Sequence, residues 1–161
     1  MRRPIRVVLL AALSACSSST EPLPTEGPPT ELAVSFGGFG YGSHGVRLVG
    51  RDTLRVVRRT WERAAAVEST FVVPSAGAWR EFWTSARAAG VGVWPSRCVD
   101  ERIADGSGME VRIVAEGRRV HTVMANAWPR GSGRCGGPEQ TPEVRAFLAA
   151  VGTLIGRRYP D

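Results

Sequence analysis

The sequence predicts a two-layer α+β fold, antiparallel sheet hairpins with two packing helices, in the order strands, helix, strands, helix, each half a small antiparallel sheet with a helix laid across it. Two observations carry this prediction. Between Met109 and Asn126 the side chains alternate on both sides of the turn Glu116-Gly117. Met109, Val111, Ile113 and Ala115 share one face before it, and Val120, Thr122, Met124 and Asn126 share one face after it. Alternation around a glycine-containing turn is the pattern of a hairpin with one buried face. Trp79, Phe82, Trp83 and Ala86 recur instead at helical spacing, as do Val144, Phe147, Leu148, Val151, Leu154 and Ile155.

At the N-terminus, Arg2, Arg3 and Arg6 accompany the apolar run Ile5 to Leu13, and Leu13-Ser14-Ala15-Cys16 follows. A charged start, a short apolar run and small residues before a cut site make a secretory signal, and the run is too short to span a bilayer. Leu-Ser-Ala-Cys resembles the lipobox of bacterial lipoproteins. The resemblance implies cleavage before Cys16, lipidation of Cys16 and, because Ser17 rather than Asp follows it, placement in the outer membrane facing the periplasm. Several acyl chains give stable anchoring. Ser17 to Thr30 is mostly Ser, Thr, Pro, Glu and Gly, with Leu23 alone among them as a large apolar residue. It reads as a disordered tether. The plan is therefore a signal peptide at 1–15, a lipidated cysteine and tether at 16–31, and one globular domain at 32–161.

Within the domain, Leu32, Val34 and Phe36 predict a first strand. Residues 37–45 hold five glycines, with Phe39 and Tyr41 among them, and read as a flexible loop because glycine weakens a strand interior. No P-loop register or following helix accompanies these glycines. Val46–Val49 and Thr53–Val57 form a second hairpin around Gly50-Arg51-Asp52, placing Arg47, Arg55, Arg58 and Arg59 on its outer side. Thr70–Val73 before Pro74 reads as a strand end. Ser75 is the N-cap of a helix over 76–89 that Gly90 stops. After the central hairpin, Arg130–Gln140 is a glycine-rich loop. Thr141-Pro142-Glu143 then opens the last helix with a capping hydroxyl, a proline in the first turn and an acid near the N-terminus, and Gly156 ends it.

All 21 basic residues are arginine, a uniformity that points to coding bias rather than chemistry. Residues 32–161 hold 18 arginines and 12 acids, so the domain keeps the net charge of +6 found for the whole chain. The arginines are dispersed, and no basic stripe interleaved with aromatics forms, which argues against nucleic-acid binding.

With Cys16 assigned to lipid, Cys98 and Cys135 remain as a pair in an oxidising compartment. A disulfide is favoured over metal ligation, which needs further Cys or His nearby, and over redox chemistry, which prefers Cys-x-x-Cys. Closing that loop is worth about 4 kcal/mol in the chain-entropy view. His44 and His121 are the chain's two histidines, and neither lies in a zinc pattern. Ser107 and Ser132 sit in Gly-Ser-Gly triplets without the nucleophile-elbow spacing. Asp100, Glu101 and Asp105 read as a solvated turn, or as ion-pair partners of Arg102 and Arg112, rather than as paired catalytic carboxylates. The expectation is no catalytic residue, no metal and no cofactor.

Ser35-Phe36-Gly37-Gly38-Phe39-Gly40, the later Val-Arg-Ile hairpin and the proline-initiated C-terminal helix look like the emfourin type of small bacterial protease inhibitors. The resemblance implies block of thermolysin-like metalloproteases through the N-terminal region and adjoining loops, with Phe39 and its flanking glycines as contacts. The lipid anchor, the 51–73 region and the cysteine pair set this chain apart from that family. The expected function is that of a lipid-anchored, non-enzymatic envelope domain binding another protein or a cell-envelope component. Its expected contacts lie in the 37–45 and 127–140 loops, at Phe39, Tyr41, Trp128 and Arg130. Metalloprotease inhibition is the alternative, and hydrolysis of an envelope polymer a third reading. Cys16→Ser is expected to move the protein from the membrane to the soluble fraction, and continued sedimentation with membranes would refute the anchor.

Overall fold

A computed structural model describes residues 22–38, 42–59 and 67–160. The expected signal segment, Cys16, Phe39 and Tyr41 lie outside the described residues. The elements are β1 (Glu31–Gly38), β2 (Gly42–Val49), β3 (Thr53–Arg59), β4 (Val67–Val72), α1 (Ala76–Ala88), β5 (Arg97–Val99), β6 (Ser107–Ala115), β7 (Arg118–Ala125) and α2 (Pro142–Ile155). A short 3-10 turn over Val91–Val93 separates α1 from β5. The strands make one sheet in the order β4-β3-β2-β1-β6-β7-β5. Every neighbouring pair is antiparallel except β5 beside β7.

The two-layer α+β architecture is as the alternation and helical spacing predict, with one correction. The halves do not form separate small sheets each with its own helix. β1 pairs with β6 along its whole length, from Glu31↔Val114 to Gly38↔Ser107, and fuses them into a single sheet.

Local chemistry explains the boundaries. Glu116 and Gly117 both have positive φ, 50° and 78°, as a type I′ hairpin turn requires. Ser75 Oγ accepts from Ala78 N at 3.1 Å, and Thr141 Oγ1 accepts from Val144 N at 3.3 Å, so both helices begin on the hydroxyls the sequence offers. Gly156 closes α2 in the left-handed conformation at φ 70°. The glycine stretch differs from expectation. β1 and β2 run through Gly37, Gly38 and Gly42–Gly45, leaving residues 39–41 between them. A Cβ on Gly38 would stand 2.5 Å from Gly106 O, so the glycine there permits close backbone approach within a strand.

Leu32, Val34, Val111, Ile113 and Met124 point from one face of the sheet into the core beneath the helices and are all buried. Phe82 of α1 meets Phe147 of α2 at a ring separation of 6.0 Å, and Trp94 lies 5.4 Å from Phe147. These rings lock the helices to each other as well as to the sheet.

Residues 22–30, expected to belong to the disordered tether, are instead packed on the domain. Leu23 is 5% exposed within the core, and Pro24 and Pro29 are buried. Trp83 Nε1 donates to Gly27 O at 2.7 Å, Arg87 donates to Pro24 O, and Thr30 N donates to Val114 O at 2.8 Å. A single leucine suffices because it fills a site beside Gly92, where a Cβ would lie 3.6 Å from Leu23 Cγ. Cys98 on β5 and Cys135 are joined, with sulfur atoms 2.12 Å apart, pinning the edge strand to the loop that precedes α2. Leu23→Ala is expected to lower unfolding free energy by about 2 kcal/mol in chemical denaturation. An unchanged midpoint would mean the segment contributes nothing to the fold.

Candidate functional site on the open face of the sheet

Both helices lie on one face of the sheet, and the alternate residues of each strand form an outer face that neither helix covers. Strand register arranges these residues in rows. Phe71↔Arg55, Arg55↔Arg47, Arg47↔Ala33, Ala33↔Arg112 and Arg112↔His121 are successive cross-strand partners, so one row crosses the sheet from β4 to β7. The neighbouring row holds Ser69, Val57, Gly45, Ser35, Glu110 and Val123. Between Arg47 and Arg112 stands only the methyl of Ala33, and Ser35 and Gly45 continue that low ground. The result is an open notch of about 340 Å³, floored by Ala33, Ser35 and Gly45 and walled by Arg47 and Arg55 on one side and Glu110 and Arg112 on the other. Arg47 and Arg112 sit two strand spacings apart, about 9–10 Å between backbones.

Electrostatics differ across the notch. On the β6 side, Glu110 Oε1 accepts from Arg112 Nε at 2.7 Å and lies 3.0 Å from His121 Nε2. Hydrogen bonding to His121, then to Arg112, holds the Glu110 carboxyl below the usual carboxylate range. On the β2–β3 side, Arg55 Nε donates to Ser69 Oγ at 2.9 Å, and neither Arg47 nor Arg55 has a carboxylate partner among the described residues. Like charges directly opposite on neighbouring strands destabilise a sheet.

The residues singled out in the sequence fall in several places. Trp128, expected on an exposed loop, is fully buried. It donates from Nε1 to Pro138 O at 2.9 Å and stacks 6.3 Å from Phe36, so it is core and not a contact surface. Its loop is tied down by Gly136 N to Trp128 O at 2.6 Å and Thr141 Oγ1 to Pro129 O at 2.6 Å. Arg130 is exposed on that loop, lining a hollow of about 520 Å³ with Glu143 and Arg145. Arg58, expected on the outer side, is the cross-strand partner of His44 and lies on the helix-bearing face. His44 is buried with its ring 6.3 Å from Tyr159. Asp100 bonds Arg102, whose side chain and then backbone amide hold its carboxyl down to about 2. Glu101 pairs with Arg97 at 3.2 Å, Asp105 is exposed, and the carboxylate that binds Arg112 is Glu110. Among the described residues no group of three or more His, Cys, Asp or Glu gathers to hold a metal ion, and no helix is long and apolar enough to cross a membrane.

Arg47 and Arg55 were legible as outward-facing from the alternation of their hairpin, and Arg112 and His121 from theirs. Their convergence was not, because it depends on β1 lying between β2 and β6. No protein-family model matches the chain, and no curated protein matches it.

Glu110 is half-exposed, so its pairing contributes under about 1 kcal/mol. Its lowered folded-state pKa makes that contribution fully present above the unfolded value of about 4.3, and lost as pH falls through the lowered value. Glu110→Gln is expected to lower stability slightly at neutral pH, with the gap closing on acidification below about pH 4. A pH-independent gap in denaturation midpoints would contradict the assignment.

Proposed function

We propose that this chain is a non-enzymatic binding domain, held at the envelope membrane through a lipidated Cys16, and that its partner docks on the open face of the sheet. The row of Arg55, Arg47, Arg112 and His121 over the bare floor of Ala33, Ser35 and Gly45 carries this reading. It gathers hydrogen-bond donors from β2, β3, β6 and β7 onto a rigid surface next to the exposed Phe71, and arginine and aromatic side chains are the groups that dominate protein interfaces. The Glu110–His121 pair lies on an open surface where water screens it, a setting that suits recognition better than proton transfer in a water-excluded site. The charged and apolar N-terminal run and the lipobox-like Leu13-Ser14-Ala15-Cys16 support the envelope location in this reading.

A photo-crosslinking residue placed at Val57, in the notch, is tested in intact cells against the same residue at Thr153, exposed on α2. A discrete adduct from position 57 and none from position 153 is the expected outcome. Adducts of equal yield from both positions, or none from position 57, would overturn the open face as the binding surface.

A further inference from the structure

Resting on the reading that the open face binds, we infer that the notch recognises a protein partner by a carboxylate-bearing segment. The acidic side chain enters between Arg47 and Arg55, and an apolar neighbour lies on Phe71. Three independent observations point there. Arg47 and Arg55 are direct cross-strand partners with no carboxylate between them among the described residues, an arrangement that an incoming anion relieves. Gly45 stands in the interior of β2, where glycine weakens a strand, yet nothing among the described residues demands it. A Cβ built there would find Val34 O, at 4.0 Å, as its nearest neighbour. The bareness of Gly45 thus serves the space above it rather than the packing below, which is how a strand glycine behaves where another chain approaches closely. Phe71, the cross-strand partner of Arg55, is 66% exposed and extends the arginine row with an apolar surface.

The pattern favours an acidic protein segment over a phosphate-rich membrane surface. Glu31 and Glu110 line the same notch and would repel a uniformly anionic sheet of headgroups, whereas they complement a segment whose charges alternate in sign. A guanidinium presents a planar fork that matches a carboxylate with two parallel hydrogen bonds. An aromatic beside arginines is the pairing that anchors protein interfaces.

The test uses the full chain in neutral detergent micelles and short synthetic peptides carrying a glutamate, a phenylalanine and a flanking lysine, against counterparts with glutamine or lysine in place of the glutamate. The glutamate peptide is expected to bind at least about tenfold more tightly than the glutamine one, with the lysine one weakest. Arg47→Gln, Arg55→Gln and Gly45→Val should each weaken that binding about tenfold or more while leaving the melting temperature unchanged or raised, since each removes a feature unfavourable to the sheet. A structural role for these residues would instead lower the melting temperature, and that result overturns the proposal. So does equal binding of the glutamate and glutamine peptides, or displacement of the glutamate peptide by inorganic phosphate or by phosphatidylglycerol micelles at matched charge. Peptide discrimination that fails while the position 57 crosslink persists would leave the binding face standing and remove only the acidic partner.

Discussion

The pairing of β1 with β6 is the constraint on which the rest of the structure depends. It joins a four-stranded N-terminal unit to a three-stranded C-terminal one and places Leu32 opposite Ile113 and Val34 opposite Val111 in the core. The same register places Ala33 opposite Arg112 on the other face. Side chains alternate strictly along a strand, so a slip of one residue would bring Arg112 into the core and turn Val111 and Ile113 toward solvent. Register at this one seam therefore sets the core and the notch together. The Tyr159 hydroxyl lies within 3.3 Å of Val34 O and 3.2 Å of His44 O, so the C-terminal segment is tied to the seam's neighbour, and burial pushes the phenol's pKa up.

The two faces follow different physical rules. The helix-bearing face is dense in aromatic rings and tolerates isolated polar costs, since Trp79 Nε1 and Thr122 Oγ1 are buried without a partner among the described residues. On the outer face the unfavourable features, paired arginines and a bare strand glycine, are gathered in one place. Defects scattered over a surface are unremarkable; defects concentrated at a single notch resemble the local departures from an ideal sheet that accompany binding sites.

Much of the fold was legible because its determinants are local. The capping hydroxyls of Ser75 and Thr141, the stop at Gly156, the I′ turn at Glu116-Gly117 and the inward phase of Met109, Val111, Ile113 and Ala115 all express their preferences within a few residues. What was illegible is non-local. β5 is three residues long and exists through its partnership with β7 and the Cys98–Cys135 link, so no period marks it. Trp128 belongs to a glycine-rich loop yet is core, because Phe36 and Pro138 come to it from distant sequence. Gly37 and Gly38 read as loop residues because their cost in a strand is local and visible, whereas the close approach of Gly106 that makes use of Gly38 comes from the other half of the chain. The notch fails to announce itself for the same reason, its arginines being separated in sequence by elements that only the seam reunites.

The docking of Leu23 changes the reach of the molecule. With residues 22–30 fastened to the domain, and under the proposed anchoring at Cys16, only residues 17–21 lie between the lipid and the folded body. Even fully extended, the path from Cys16 to Pro22 covers no more than about 22 Å. Under that anchoring, a leash so short would keep the domain grazing the bilayer. It would restrict partners to those that sit at, or descend to, the lipid surface, and would raise the local concentration of any membrane-bound partner well above its value in the open compartment.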